Sequence, residues 1–276
     1  MTLLIDTTSG DFDYTYLSLG AGVQSSALLV LSCTDERVPK PDVCIFSDTG
    51  DEPRYVIDYL EVLREFAEPH GVSIEVAQKG VLSEDALGRG KFVPIPLYTL
   101  DQYGTKGILR RQCTREYKIT PITKKVRELL GYKPRQRMKH KVRAMLGIST
   151  DEMQRMKVSW DKWVTNTYPL IDLSISRSMC YKIMADAGLP EPKKSACVYC
   201  PYHDDQYWQW MKDKQPEEFA RAVSFDDAIR HKTMKGSEAP AFVHNSCVPL
   251  SEAVFNANDP HQVDMFNNEC EGMCGV

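Results

Sequence analysis

The stretch YTYLSLGAGVQSSALL, from Tyr14 to Leu29, decides the fold. Tyr14 to Leu19 has the pattern of a short β-strand, Gly20-Ala21-Gly22 predicts a turn that only small residues can make, and the residues from Ser25 onward open a helix. This order favours anion binding, because the first turn of a helix has unpaired N–H groups and glycines let a phosphate approach the backbone. Three serines would add hydroxyl donors: Ser18, Ser25 and Ser26.

A second strand ends in small polar residues. Cys44-Ile45-Phe46 runs into Ser47-Asp48-Thr49-Gly50, and Pro53 then starts another helical segment. The carboxyl ends of neighbouring parallel strands lie at one edge of a sheet, which is where ligands bind in open α/β folds. The sequence therefore predicts one α/β domain with a parallel sheet and polar residues at this edge.

Together these two segments resemble a known family. SLGAGVQSSAL is similar to the phosphate loop SxSGGxDSxAL of PP-loop adenine-nucleotide enzymes, and SDTGDEPRYVIDYL is similar to the DTG…PETY…L segment of phosphoadenosine phosphosulfate (PAPS) reductases. The resemblance implies a Rossmann-like sheet with helices on both faces and an adenine nucleotide (ATP, PAPS or adenylylsulfate, APS), with Mg²⁺ as a candidate companion. Gly20, Ala21 and Gln24 stand where Ser, Gly and Asp are usual, and the Gln favours the reductase branch.

A later strand adds to the resemblance. Val142 to Ile148 has a core-strand pattern, and the run onward is similar to the GIR…E…R element of PP-loop proteins, with Ser149 where Arg is common. The implied nucleotide-binding residues are Ser18, Gly20, Ala21, Gly22, Gln24, Ser25, Ser26, Asp48, Thr49, Gly50 and Gly147. The implied anion-binding residues are Arg111, Arg115, Lys118 and Arg155.

Length and composition indicate an ordinary globular protein. With 276 residues, 42% hydrophobic and 26% charged, the chain suits one domain over residues 14–235 that ends in a helical extension, with an N-terminal arm over 1–13 and a cysteine-containing tail over 236–276. It has no apolar run that could span a bilayer and no signal-peptide pattern, so we expect a cytoplasmic protein without a membrane partner. In the cytoplasm, nine cysteines favour metal, cluster or redox use over disulfides.

The net charge of −4 hides a basic segment. Over residues 106–143, fourteen Lys and Arg residues face only two glutamates. This pattern predicts a surface for an anionic substrate, a nucleotide or a nucleic acid such as tRNA or DNA, unless it is only the solvated face of a helix.

The motif CVYC, Cys197 to Cys200, can bind a metal or a cluster from a tight loop. Zinc commonly takes two such pairs, and the chain has no second CxxC. RQCTREYKITPI, from Arg111 to Ile122, resembles the CCxxRKVxPL motif of the iron–sulfur APS reductases, with Thr114 in place of the second cysteine. The resemblance implies a [4Fe–4S] cluster on Cys113 and the CVYC pair, with Cys180 or Cys247 as the fourth ligand or one open iron. Buried structural cysteines or a zinc site are the alternatives.

The last segment raises the question of a nucleophile. Glu269-Cys270 resembles the ECG motif of sulfonucleotide reductases, whose Cys attacks the sulfonyl sulfur and is then reduced by thioredoxin, although an extra Glu stands before the Gly here. The resemblance implies Cys270 as the catalytic thiolate and a thioredoxin-like reductant as partner. A redox or metal pair of Cys270 and Cys274, or a tail without chemistry, are the alternatives.

Three functions follow from these features. The first is reductive sulfur chemistry on PAPS or APS, which Gln24 and the cysteines favour. The second is ATP-dependent sulfur transfer to tRNA or DNA, which the basic segment favours. The third is a non-catalytic nucleotide-binding regulator, which would leave the cysteines unexplained.

Overall fold

The computed structural model describes residues 10–235 and 238–256. Its strands are β1 Tyr14–Leu19, β2 Val43–Asp48, β3 Ile74–Gln78, β4 Tyr98–Leu100, β5 Lys106–Ile108, β6 Val142–Leu146, β7 Val164–Thr167 and β8 Ala241–Phe242. Its α-helices are α1 Val23–Thr34, α2 Arg54–Ala67, α3 Leu82–Leu87, α4 Thr120–Leu129, α5 Pro169–Asp172, α6 Arg177–Asp186, α7 Asp205–Lys214 and α8 Pro216–Ile229. In this part of the chain, no helix is long and apolar enough to cross a membrane.

The main sheet has five strands in the order β3-β2-β1-β6-β7, and every neighbouring pair is parallel. Strand β1 is central: Tyr16 pairs with Val43 of β2, and Tyr14 pairs with Val142 of β6. The predicted β1, α1 and β2 and the predicted parallel sheet are confirmed. The edge strand β7 was not predicted, because VTNT is short and half polar.

Helices cover both faces of this sheet, as the sequence predicts. Alternate residues of the strands belong to two different cores, which is the period of a strand covered on both sides. Leu17 and Phe46 pack with α1, α2 and α6, whereas Tyr16 and Ile45 pack with α4 through residues such as Val126. The molecule therefore has the predicted α/β fold, with the glycine turn after its central strand.

A second core lies beyond the sheet. Helices α7 and α8 surround the buried Trp208 and Phe225, as the predicted helical extension requires. Strands β5, β4 and β8 form a small antiparallel sheet that was not predicted, because strands of two or three residues show no alternation. Residues 238–256, assigned to the tail from their polar composition, contribute the buried Val243 and Leu250 to this core.

The basic segment over residues 106–143 contacts separate parts of the fold. Lys106 Nζ donates to the Asn245 carbonyl at 3.2 Å, Lys125 pairs with Glu75 at 3.1 Å, and the Arg143 guanidinium lies 4.4 Å from the centre of the Phe12 ring. Lys118 is buried rather than exposed. The segment is therefore divided among several environments, and only some of its cations face the solvent.

Candidate functional site

The glycine turn joins β1 to α1 as predicted. Ser25 closes the turn, because its Oγ accepts a hydrogen bond from the Gly20 N–H and donates one to the Gly22 carbonyl, both at 3.2 Å. Gly22 is the N-cap of α1, and no side chain caps the helix. The N–H groups of the first turn are therefore not consumed by a cap, which is the condition for anion binding at a helix N-terminus.

The turn lies under the end of β6. A Cβ on Gly147 would come within 2.7 Å of both N and Cα of Ser25, so only glycine allows this approach. Beside it, Gln24 Nε2 donates to Ser149 Oγ at 2.7 Å. Ser18 Oγ is buried and has no hydrogen-bond partner among the residues described. A buried hydroxyl without a protein partner is a polar group that a bound ligand or water can satisfy.

The segment after β2 lies beside the glycine turn, because β1 and β2 pair in parallel with Leu19 opposite Phe46. Gly50 has φ of 79° and its N–H donates to Asp48 Oδ1 at 2.7 Å, which closes a tight turn. Thr49 is buried, and its carbonyl accepts from the Leu82 N–H of α3 at 2.9 Å. The predicted nucleotide segment is thus fixed at the carboxyl edge of the sheet.

The three cysteines predicted as metal ligands line one cavity next to this segment. The residues of the cavity that bear on its chemistry are Thr49, Arg111, Cys113, Lys118, Cys197 and Cys200. These residues come from segments that are far apart in the chain. The cavity forms because the CVYC loop folds back over the end of β2. The Val198 N–H makes this connection by donating to the Asp51 carbonyl at 2.9 Å.

The Cys197 thiol contacts side chains of the segment after β2. Its Sγ lies 3.1 Å from Thr49 Oγ1 and 4.0 Å from Glu52 Oε1. Lys118 Nζ lies 3.8 Å from the same Glu52 oxygen. Burial raises the pKa of Cys197 well above its usual range, Glu52 raises it further, and Lys118 and Thr49 oppose these effects. Cys197 is therefore held as a neutral thiol, and a metal would have to displace its proton.

His203 holds the CVYC turn from behind. Its Nε2 lies 3.0 Å from the Cys197 carbonyl, and its backbone N–H donates to the Cys200 carbonyl at 3.1 Å. Burial lowers the pKa of His203 well below its usual value, so the ring is neutral and Nε2–H is the donor to the carbonyl. Sequence reasoning missed His203 and Glu52. The run CVYCPYH carried a signal for the histidine, a polar residue close behind the CxxC.

The four predicted anion-binding residues divide between two places. Arg111 and Lys118 line the cysteine cavity. Arg155 pairs with the buried Glu152 and lines a different cavity, between α4 and the segment after β6. Arg115 is exposed beside that second cavity, with its guanidinium 5.4 Å from the centre of the Trp160 ring. The structure therefore does not gather these four cations around one anion.

Neither candidate for a fourth cluster ligand reaches the cysteine cavity. Cys180 is buried in the core between the sheet and α6, and Cys247 Sγ lies 3.9 Å from the Thr99 carbonyl in the small sheet. Cys270 and Cys274 lie outside the described residues. In the part of the chain that the structure describes, no group of three or more His, Cys, Asp and Glu side chains is arranged to hold a metal ion. The three thiols fit a thiolate-bound group in kind, but they are not gathered around one metal position.

The sheet order and the central glycine turn define a Rossmann-like α/β fold. Among solved structures, the chain is similar to phosphoadenylyl-sulfate (PAPS) reductase from Candida auris in a phosphate complex, with 14% sequence identity and a TM-score of 0.43. The similarity covers 67% of this chain and 82% of that one. No protein-family model matches the chain, and no curated protein matches it.

Proposed function

We propose that this protein is an enzyme that binds an adenine nucleotide on the Gly20–Ser26 turn and carries out sulfur chemistry on PAPS or APS at the cysteine cavity. One contact carries the proposal. Thr49 belongs to the nucleotide segment, and its hydroxyl lies 3.1 Å from the sulfur of Cys197, 148 residues further along the chain. Two sites that the sequence predicts separately thus become neighbours.

Each part of this site has a role. The first turn of α1 and the Ser18 hydroxyl would bind phosphate oxygens through N–H and O–H donors. Lys118 and Arg111 place two positive charges in the cavity, where they would attract a sulfonyl or phosphate group. Glu52 keeps Lys118 in place at 3.8 Å. The sulfur end of the nucleotide would then point from the turn toward the cysteines.

In this proposal, Cys113, Cys197 and Cys200 would hold a [4Fe–4S] cluster. When bound, the cluster would supply an electron-transfer or sulfur-binding centre at the end of the nucleotide site. Lys118 and Arg111 would offset the negative charge of the thiolates. With three protein thiolates, one iron would be left for another ligand.

We expect Cys113→Ala, Cys197→Ala and Cys200→Ala each to remove a brown chromophore at about 400 nm, the region of thiolate-to-iron charge transfer. Protein purified without oxygen should be compared by absorbance and by iron and sulfide analysis. Cys33→Ala is the matched control and should keep the colour, because Cys33 lies in α1, outside the cavity. A colourless wild type loaded with zinc would contradict the cluster.

The covalent step is assigned to Cys270, as the resemblance to the reductases implies. Its thiolate would attack the sulfonyl sulfur, the bond from that sulfur to the phosphate oxygen would break, and the nucleotide would leave with the electron pair. A thioredoxin-like dithiol would then reduce the S-sulfocysteine, release sulfite and be oxidised to a disulfide.

Incubation with PAPS or APS, without thioredoxin, should add the mass of one SO₃ group to the peptide that contains Cys270. Cys270→Ser should end turnover while sparing nucleotide binding measured by calorimetry. Cys274→Ser is the matched control and should still form the adduct. Full turnover by Cys270→Ser would remove the nucleophile from the proposal.

A second function, ATP-dependent sulfur transfer to tRNA or DNA, is favoured by cations of the basic segment that stay exposed, among them Arg115 and Lys124. Such an enzyme needs no nucleophile at Cys270. It would release AMP and pyrophosphate from ATP only when nucleic acid is present. Assays with PAPS and with ATP plus tRNA or DNA, run side by side, separate the two functions.

A further inference from the structure

Two large apolar side chains stand in solvent between β6 and β7. Trp160 is 73% exposed and Val158 is 91% exposed. The tryptophans of the second core are packed instead, with Trp208 fully buried. Exposed apolar groups that lie together mark interaction sites more often than isolated ones do.

The segment that carries Trp160 is fixed in place. The Tyr168 hydroxyl accepts from the Lys157 N–H at 2.8 Å and donates to the Lys157 carbonyl at 2.7 Å. The same carbonyl accepts from Asn166 Nδ2 at 2.8 Å. On the other side, the Val164 N–H donates to the Asp161 carbonyl at 2.9 Å. The exposed Trp160 ring therefore lies on a turn that hydrogen bonds hold in place on both sides.

Two cations lie near the ring or its cavity. The Arg115 guanidinium lies 5.4 Å from the ring centre of Trp160. Lys157 lines the same cavity as Trp160, the one between α4 and the segment after β6. Both cations are exposed, and neither forms an ion pair with a carboxylate in the described ranges 10–235 and 238–256. Asp161 also lines the cavity, so the local charge is a net excess of cations. We call Arg115, Lys157, Val158 and Trp160 the Trp160 surface.

The Trp160 surface is next to the candidate site along the chain. The β6–β7 segment that carries Trp160 also contains Ser149, which is hydrogen-bonded to Gln24 of α1 at 2.7 Å. Arg115 is two residues beyond Cys113 of the cysteine cavity. The chain therefore connects the Trp160 surface to the glycine turn through Ser149 and to the cysteine cavity through Cys113.

We propose that the Trp160 surface binds single-stranded nucleic acid, with one base stacked on the open side of Trp160 and the flanking phosphates on Arg115 and Lys157. An aromatic ring with unpaired cations beside it is the combination that single-strand binding uses, because every base can stack and every phosphate is negative. The proposal names a surface for the nucleic acid that the second function needs, and it also holds if the cavity performs sulfur chemistry on PAPS or APS.

The test is fluorescence anisotropy of a labelled single-stranded oligonucleotide with the full chain. Trp160→Ala should weaken binding about tenfold, and Trp160→Phe should restore most of it, because a phenyl ring still stacks. Tyr103→Ala is the matched control: Tyr103 is 84% exposed on the turn between β4 and β5, and its loss should change nothing. Lys157→Gln should lower the slope of log affinity against log salt by about one.

Several results would overturn the proposal. One is equal binding of the oligonucleotide by wild type and Trp160→Ala, and another is no binding by either. A third is loss of AMP binding in Trp160→Ala without any oligonucleotide binding, which would assign the ring to a free nucleotide. A fourth is a wild-type dimer that Trp160→Ala converts to a monomer, which would assign the surface to a second copy of the chain. Since Trp160 is mostly exposed, the variant should fold normally.

Discussion

Gly147→Val should abolish adenine-nucleotide binding. Even the first atom of a side chain at this position would lie 2.7 Å from the Ser25 backbone and 2.9 Å from the Gln24 carbonyl carbon. Backbone cannot move aside as a flexible side chain can, so the first turn of α1 must shift and the proposed phosphate site must deform. The strain should also cost about 1–3 kcal/mol of unfolding free energy.

The measurement is calorimetry with ATP and with PAPS, together with circular dichroism to show that the variant is folded. Gly90→Ala is the matched control, because a Cβ there would meet nothing closer than 4.0 Å and its affinity should equal that of wild type. Gly147→Ala should fall between the two. A folded Gly147→Val protein with unchanged affinity would remove the phosphate site from the Gly20–Ser26 turn.

The sequence predicted the parts of this site whose signals are local. The strand, turn and helix around Gly20 follow from a few adjacent residues, and the structure has them where the pattern put them. Ala21 stands where the PP-loop pattern usually has glycine, and its backbone conformation shows the reason for that preference. It has φ of 58°, a left-handed conformation that costs a non-glycine residue about 1–2 kcal/mol, which explains why glycine is usual there.

What the sequence could not predict depends on contacts between distant segments. Glu52 matters because Lys118 and Cys197 lie beside it, and nothing in the residues around Glu52 indicates either partner. Likewise, the split of the four anion-binding residues depends on the fold, because Arg155 lines a cavity with Trp160 and the Arg115 guanidinium lies 5.4 Å from that ring, whereas Arg111 and Lys118 line the cysteine cavity. Residue type predicted the chemistry of these groups, but only the fold decides which of them share a site.

The second prediction with a large effect concerns Asp226, which ties the end of the described chain to α8. Its carboxylate is fully buried, accepts from the Val243 N–H at 2.8 Å and the Leu250 N–H at 2.9 Å, and pairs with Arg230 at 2.5 Å. Asp226→Ala should lower the unfolding free energy by about 3–5 kcal/mol, because it removes the buried carboxylate that pairs with the largely buried Arg230 and leaves two buried N–H groups without their acceptor. Urea denaturation measures this directly.

Asp227→Ala is the matched control, because Asp227 also contacts Arg230, at 2.7 Å, but its side chain is 60% exposed. Exposed ion pairs contribute about 0–1 kcal/mol, so the two neighbours should differ by several kcal/mol. Equal losses would mean that Arg230, rather than the anchoring of Val243 and Leu250, accounts for the stability.

Asp226 should also influence the cysteine cavity, although it does not line it. The residue before it, Phe225, stacks on Tyr199 of the CVYC loop with ring centres 3.8 Å apart. Loosening α8 would loosen this stack, and Tyr199 lies between the two cysteines of the loop. In urea concentrations that leave Asp226→Ala mostly folded, its Cys197 and Cys200 thiols should react with a thiol reagent faster than those of Asp227→Ala. Identical rates in the two variants would show that the CVYC loop is held by Asp51 and His203 alone.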